Sequence, residues 1–147
     1  MYNTILVAID GSIVSEKAFE AAVEQAKAWK ADLHAVYVVE SGLFTDIPAD
    51  SKLEIMYSLL EQEGNAALDK IKEIAQKKNT EVITHFEQGH AGDTILSTAE
   101  KIGADLIIMG SHGKSNIDRI LIGSVSSFVV EHSKVSVLVE RSQCRSR

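Results

Sequence analysis

The sequence holds a single cysteine, a single proline and a single tryptophan in 147 residues, and aromatic residues make up only 5% of it. One thiol, Cys144, cannot form an internal disulfide, and no Cys/His grouping has zinc-ligand spacing, so a disulfide scaffold and a zinc module are both excluded. There is no excess of basic charge. Fifteen Lys and Arg stand against 21 Asp and Glu, a formal net charge of -6, and a nucleic-acid binder is more often basic. Arg141, Arg145 and Arg147 make a small basic end, read as a solvated tail. No apolar run approaches the ~20 residues of a membrane helix. Met1-Tyr2-Asn3-Thr4 opens directly into a strand-like run, with no basic start, apolar core and small-residue cleavage site. A cytoplasmic protein with no membrane span and no nucleic-acid partner is the expectation.

What is present is the composition of a globular protein, 45% hydrophobic and 24% charged, at the usual size of one domain. Thr4 to Ile9 (TILVAI) is a short, β-branched run closed by the turn signal Asp10-Gly11-Ser12, as in strands buried on both faces. Ser15 to Lys30 places Ala18, Ala22, Ala26 and Trp29 at helical spacing. Asp32 to Val39 reads as a second strand. After an irregular stretch, Glu40 to Asp50, with Gly42 and Pro48, a long helical pattern runs from Ser51 to Lys78. Leu53, Leu60, Ala67, Ile71, Ile74 and Ala75 share one of its faces. Gly64 inside it marks a kink or a close packing contact. Glu81 to Phe86 is a third strand, Ala91 to Ile102 a helix and Ala104 to Met109 a fourth strand. A glycine-punctuated segment, Gly110 to Gly123, leads to a short helix, Ser124 to His132, and a last strand, Val135 to Val139.

Strands alternating with helices imply an α/β, three-layer, Rossmann-like domain. Its open five-stranded parallel sheet has the expected order 3-2-1-4-5, with helices on both faces. No linker or composition break divides the chain, so one domain is expected over residues 1–141, followed by a short basic tail, 142–147. In such sheets ligands bind beyond the carboxyl ends of the strands, where the strand order reverses. That places a site between the turn after strand 1, at Asp10, and the loop after strand 4, at Gly110.

The loop after strand 4 has the pattern G-x2-G-x9-G-S, from Gly110 and Gly113 to Gly123 and Ser124. Glycines let the backbone approach a ligand closely. Ser124 suits a helix N-cap and Ser126 lies in the first turn. A helix start offers free N–H groups and positive dipole to a phosphate, and the two hydroxyls would add donors. Gly113-Lys114-Ser115 is not a Walker A loop, because Ile108 stands where that loop needs its first glycine. A dinucleotide G-x-G-x-x-G after strand 1 is missing too. Ordinary loop chemistry would also produce this pattern, with Gly110 ending a strand and Gly123-Ser124 capping a helix. Pattern alone leaves both readings open.

The stretch MGSHGKSN…LIGSVS…VLVE, the opening ILVAIDGS, and Gln88-Gly89 before the third helix together resemble the universal stress protein family, in its ATP-binding type. The resemblance covers nearly the whole chain. It implies that Asp10 and the backbone near Ala8 and Ile9 contact adenine and ribose, and that Val38 lines the adenine pocket. It also implies that Met109, Gly110, Gly113, Gly123, Ser124, Val125 and Ser126 wrap ribose and phosphates. Two positions depart from the common pattern: Ser136 and His90 stand where many relatives have Pro.

Asp10 is also the candidate Mg²⁺ ligand, with Asp118 a weaker one, although it could simply end strand 1 or cap helix 1. His112, Lys114 and Arg119 could meet phosphate or be solvated loop residues. His34, His85, His90 and His132 are read as structural or surface residues, and Trp29 and Tyr37 as core. No Glu, Gln or His is aimed as a hydrolytic base. The expected function is therefore ATP binding in stress response and regulation, through an unknown protein partner. The alternatives are a slow Mg-dependent ATPase and a nucleotide-independent, dimerising, chaperone-like protein. The last strand is expected at a sheet edge, with Val135, Val137 and Val139 on one face and Leu138 on the other. Such an edge invites an antiparallel homodimer, which the resemblance also implies.

Overall fold

A computed structural model describes residues 1–40, 51–111 and 123–141. The described residues form β1 (Thr4–Ile9), α1 (Ile13–Trp29), β2 (Asp32–Glu40), α2 (Ser51–Lys77), β3 (Ile83–Gly89), α3 (Ala91–Ile102), β4 (Leu106–Gly110), α4 (Ser124–His132) and β5 (Ser136–Glu140). They build one five-stranded sheet in the order β3-β2-β1-β4-β5, and every strand pair is parallel. The expected fold class and strand order are those of the protein.

The sheet sits between two helical layers. β1 is central, and Ile5, Leu6 and Val7 are completely buried. Its odd positions, Ile5, Val7 and Ile9, pack with Leu33, Ala35, Tyr37 and Val39 of β2 under α1 and α2. Leu6 faces the other way, with Val36, Ile107 and Met109, against Ile95 and Ala99 of α3 and Val129 of α4. The period-2 alternation of strands thus feeds two separate cores.

α1 starts at Ile13, two residues before the Ser15 expected from periodicity. Ser12 caps it: the Ser15 N–H donates to Ser12 Oγ at 3.1 Å. Ala18, Ala22 and Ala26 are buried on its inner stripe, and such short side chains let the helix lie close to β1 and β4. The largest boundary difference is at β3, which runs to Gly89 and not only to Phe86. Glu87, Gln88 and Gly89 pair in register with Val38, Val39 and Glu40. An edge strand needs apolar residues less, so its polar end does not read as a strand. β4 and β5 are likewise shifted toward their carboxyl ends, to Gly110 and Glu140.

α2 passes through Gly64, and the reason is packing. A Cβ on Gly64 would lie 2.5 Å from Phe86 Cε2 and 2.7 Å from the Tyr37 ring. Those two rings stack, with centroids 5.9 Å apart. Tyr37 is core, as its pattern suggests, and Trp29 packs against the same cluster. Gly64→Val should therefore destabilise the domain by overpacking, by about 1–3 kcal/mol. Urea denaturation followed by circular dichroism reads this; an unchanged midpoint would refute the contact.

Two histidines prove to be partners. On the α3 side of the sheet, His34 Nδ1 lies 2.9 Å from His85 Nε2, and the rings stack at 14°. One proton joins the two nitrogens, so the pair is at its best when neutral. Burial lowers both pKa values below the ordinary 6.5. The His85 charge lowers His34 further while Asp32 opposes, and at His85 Glu87 opposes while Lys101 adds to the lowering. Above pH 6.5 the contribution to stability is complete. As pH falls below that value the unfolded chain takes up protons that the folded chain refuses, and stability declines through the folded pKa values. The slope of stability against pH below 6.5 should flatten in a His34→Ala, His85→Ala double variant; an equal slope in both proteins would show the pair is not its source.

Candidate functional site

Sheet order reverses between β1 and β4, and the chain segments leaving these two strands part to opposite faces. β1 ends at Ile9 and hands the chain to Asp10. The Asp10 carboxylate accepts the Ser12 N–H at 2.9 Å, a tight turn that aims the chain into α1. Ala8 is half-buried and Ile9 buried. Val38, near the end of β2, is half-buried against the α3–α4 core. Met109 is buried. Gly110 leaves no room for a side chain, since a Cβ there would stand 2.6 Å from Val14 Cγ1.

Beyond Gly110 the polar chemistry converges on Ser111, which is buried. Its N–H donates to the Glu140 carbonyl at 2.9 Å, and its carbonyl accepts the Gly123 N–H at 2.6 Å. The Ser126 hydroxyl contacts the same carbonyl at 3.2 Å and the Gly123 carbonyl at 3.0 Å. The chain thus leaves at Ser111 and returns at Gly123 to a single hydrogen-bonded junction beside the end of β5. Gly113, like His112, Lys114, Asp118 and Arg119, lies outside the described residues.

The start of α4 differs from the expectation in two ways. Gly123, not Ser124, is the N-cap, and among the described residues no side chain caps the helix. Ser124 is the first helical residue and is exposed, as is Val125. The first intrahelical bond closes from the Ser127 N–H to the Gly123 carbonyl, so the amides of Ser124, Val125 and Ser126 precede it. The second difference concerns Ser126. Expected as a phosphate donor, it is buried and its hydroxyl is committed to the junction. The Gly123 backbone is also ordinary, at φ -66. No positive φ requires glycine at this position.

The neighbouring helix start is filled. The Ala91 N–H, the first of α3, donates to Glu40 Oε1 at 2.9 Å, and His90 Nδ1 lies 2.8 Å from Glu40 Oε2. Glu40, His90, Asp93, Ser124 and Val125 line an open cleft of about 380 Å³ between the two helix starts, floored by Gly92 and Phe128. Sequence reasoning placed His90 among surface residues and Glu40 in an irregular stretch. The available signal was an acidic residue at the carboxyl end of the strand next to β1. Among the described residues no group of three or more His, Cys, Asp and Glu could hold a metal ion. Among them, too, no helix is long and apolar enough to cross a membrane.

These features have close counterparts. The sequence profile of the universal stress protein family matches residues 1–141. A universal stress protein of Methanocaldococcus jannaschii is 38% identical over 139 residues, spanning 95% of this chain and 82% of that protein. This chain belongs to the universal stress protein family. Among solved universal stress proteins, UspA from Lactobacillus plantarum superposes with a TM-score of 0.83 at 30% identity, over 95% of this chain and 98% of that one. Another, solved in complex with cAMP, gives a TM-score of 0.70 at 26% identity, covering 97% and 98%.

Proposed function

We propose that this universal stress protein is an ATP-binding regulatory module of the stress response, acting in the cytoplasm through a protein partner that reads its liganded state. The observation that carries the reading is the start of α4. Its first residues, Ser124 and Val125, line the cleft with no side-chain cap among the described residues, and reversal of strand order is where such sheets place ligands. Amides so placed, with the positive end of the helix dipole, suit phosphate. The relative in complex with cAMP supports an adenine nucleotide as the ligand class. In this reading Asp10, Ala8, Ile9 and Val38 take adenine and ribose. Met109, Gly110, Gly113, Gly123, Ser124 and Val125 enclose ribose and phosphates, while Ser126 holds the junction that presents them. A Mg²⁺ would accompany the phosphates, with Asp10 as its protein ligand. Residues 1–141 are the binding domain and 142–147 a tail.

Gly123→Val is the direct test. The backbone at φ -66 admits valine, so the variant should fold with a wild-type melting temperature. Its branched side chain should abolish ATP binding in calorimetry. Wild-type affinity in this variant would remove α4 from the site.

The same module is a homodimer through β5. This strand forms one edge of the sheet, and Leu138 on its outer face is 37% exposed. Charged residues that would discourage pairing with a second copy are few: Lys134 precedes the strand and Glu140 ends it. Val137→Pro should remove a ladder donor and Val137→Lys add repulsion across the two-fold axis. Both should sediment as monomers where the wild type is a dimer; a monomeric wild type, or dimers in both variants, would refute the interface.

A further inference from the structure

The cleft between α3 and α4 carries opposite chemistry at its two ends. At one end stands the Glu40 carboxylate, an acceptor. At the other are the first residues of α4, Ser124 and Val125, uncapped among the described residues, which offer N–H donors. Both oxygens of Glu40 have partners. One oxygen takes the Ala91 N–H at 2.9 Å and the other lies 2.8 Å from His90 Nδ1. Each oxygen keeps a further lone-pair direction. Asp93, the other carboxylate of the cleft, is exposed and has no hydrogen bond among the described residues, so Glu40 is the positioned one.

A phosphorylated ribose has the matching polarity. Its vicinal 2′- and 3′-hydroxyls are donors, and its phosphate is an acceptor-only anion. In dinucleotide-binding doubly wound sheets, an acidic residue beyond β1 accepts from the ribose hydroxyls. Glu40 ends β2, the strand hydrogen-bonded to β1, and so occupies the equivalent place without the glycine fingerprint that usually accompanies it. Its pairing with the Ala91 amide also fills the N-terminus of α3. Among the described residues, the helix start of this cleft left for the phosphates is that of α4. The geometry points to Glu40 as the residue that reads the sugar: its carboxylate accepts from the ribose hydroxyls and makes the site selective for ribonucleotides over their deoxy analogues. This rests on the nucleotide reading above and names its specificity determinant.

Titration calorimetry with ATP and with 2′,3′-dideoxy-ATP, on wild type and on Glu40→Ala, tests it. Wild type should bind ATP about tenfold or more tightly than the dideoxy analogue, the usual worth of a hydrogen bond to a charged group. In Glu40→Ala the two affinities should converge, ATP falling to the level of the analogue while the analogue stays where it was. Should that variant lose its fold in a thermal melt, Glu40→Gln serves, since its amide oxygen still accepts the Ala91 N–H; its ATP-to-analogue ratio should fall several-fold. A wild type that does not discriminate overturns the assignment, as does a variant that discriminates undiminished. In the second case Glu40 is only the cap of α3, and its loss shows in the melting temperature alone. If wild type binds neither nucleotide, the nucleotide reading itself fails and this inference with it.

Discussion

Complete burial of β1 on both faces is the constraint from which the rest of the architecture follows. Ile5, Leu6 and Val7 are wholly excluded from solvent, and consecutive strand residues point to opposite sides. Both sides of the sheet must therefore be covered. With parallel strands the covering elements are the crossover helices, and right-handed crossovers distribute them. α1 and α2 seal one core and α3 and α4 the other. The strand order then reverses between β1 and β4, and chain segments leaving these neighbours toward opposite layers open a crevice at their carboxyl ends. The crevice is a by-product of burying an apolar strand.

Within that crevice the small residues divide the work. Gly110 yields space to Val14, Ser111 and Ser126 are buried and tie loop to sheet, and Gly123 leaves α4 uncapped. At α1 and α3 the opposite choice is made: Ser12 and Glu40 supply the cap. At α1 and α3 a helix start with amides lacking partners is thus met by the protein's own oxygens, whereas at α4 no side chain among the described residues does so.

Much of this was legible in the residues. The boundaries of β1, α3 and α4 coincide with the patterns TILVAI, Ala91–Ile102 and Ser124–His132. Each is a clear period ended by a turn or capping residue, and strand order followed from alternation. Legibility failed where partners are distant in sequence. His34 with His85 and Glu40 with Ala91 are each 51 residues apart, and nothing local marks either pair. It failed also where a side chain has two plausible employments. Ser126 in a first turn reads as a ligand donor, yet burial and two carbonyls claim its hydroxyl. The Gly64 ambiguity, kink or contact, needed the Tyr37 and Phe86 rings to resolve it.

The junction at Ser111 has a consequence for how such a protein can vary. The Gly123 N–H meets the Ser111 carbonyl and the Ser111 N–H meets the Glu140 carbonyl, so the end of β4, the end of β5 and the start of α4 share backbone hydrogen bonds. A main-chain bond does not depend on which side chain its residue carries. A substitution that keeps the Gly123 backbone at φ -66 therefore leaves the tie in place. The position of this helix start against the sheet is inherited through main-chain atoms, and side chains can change around it.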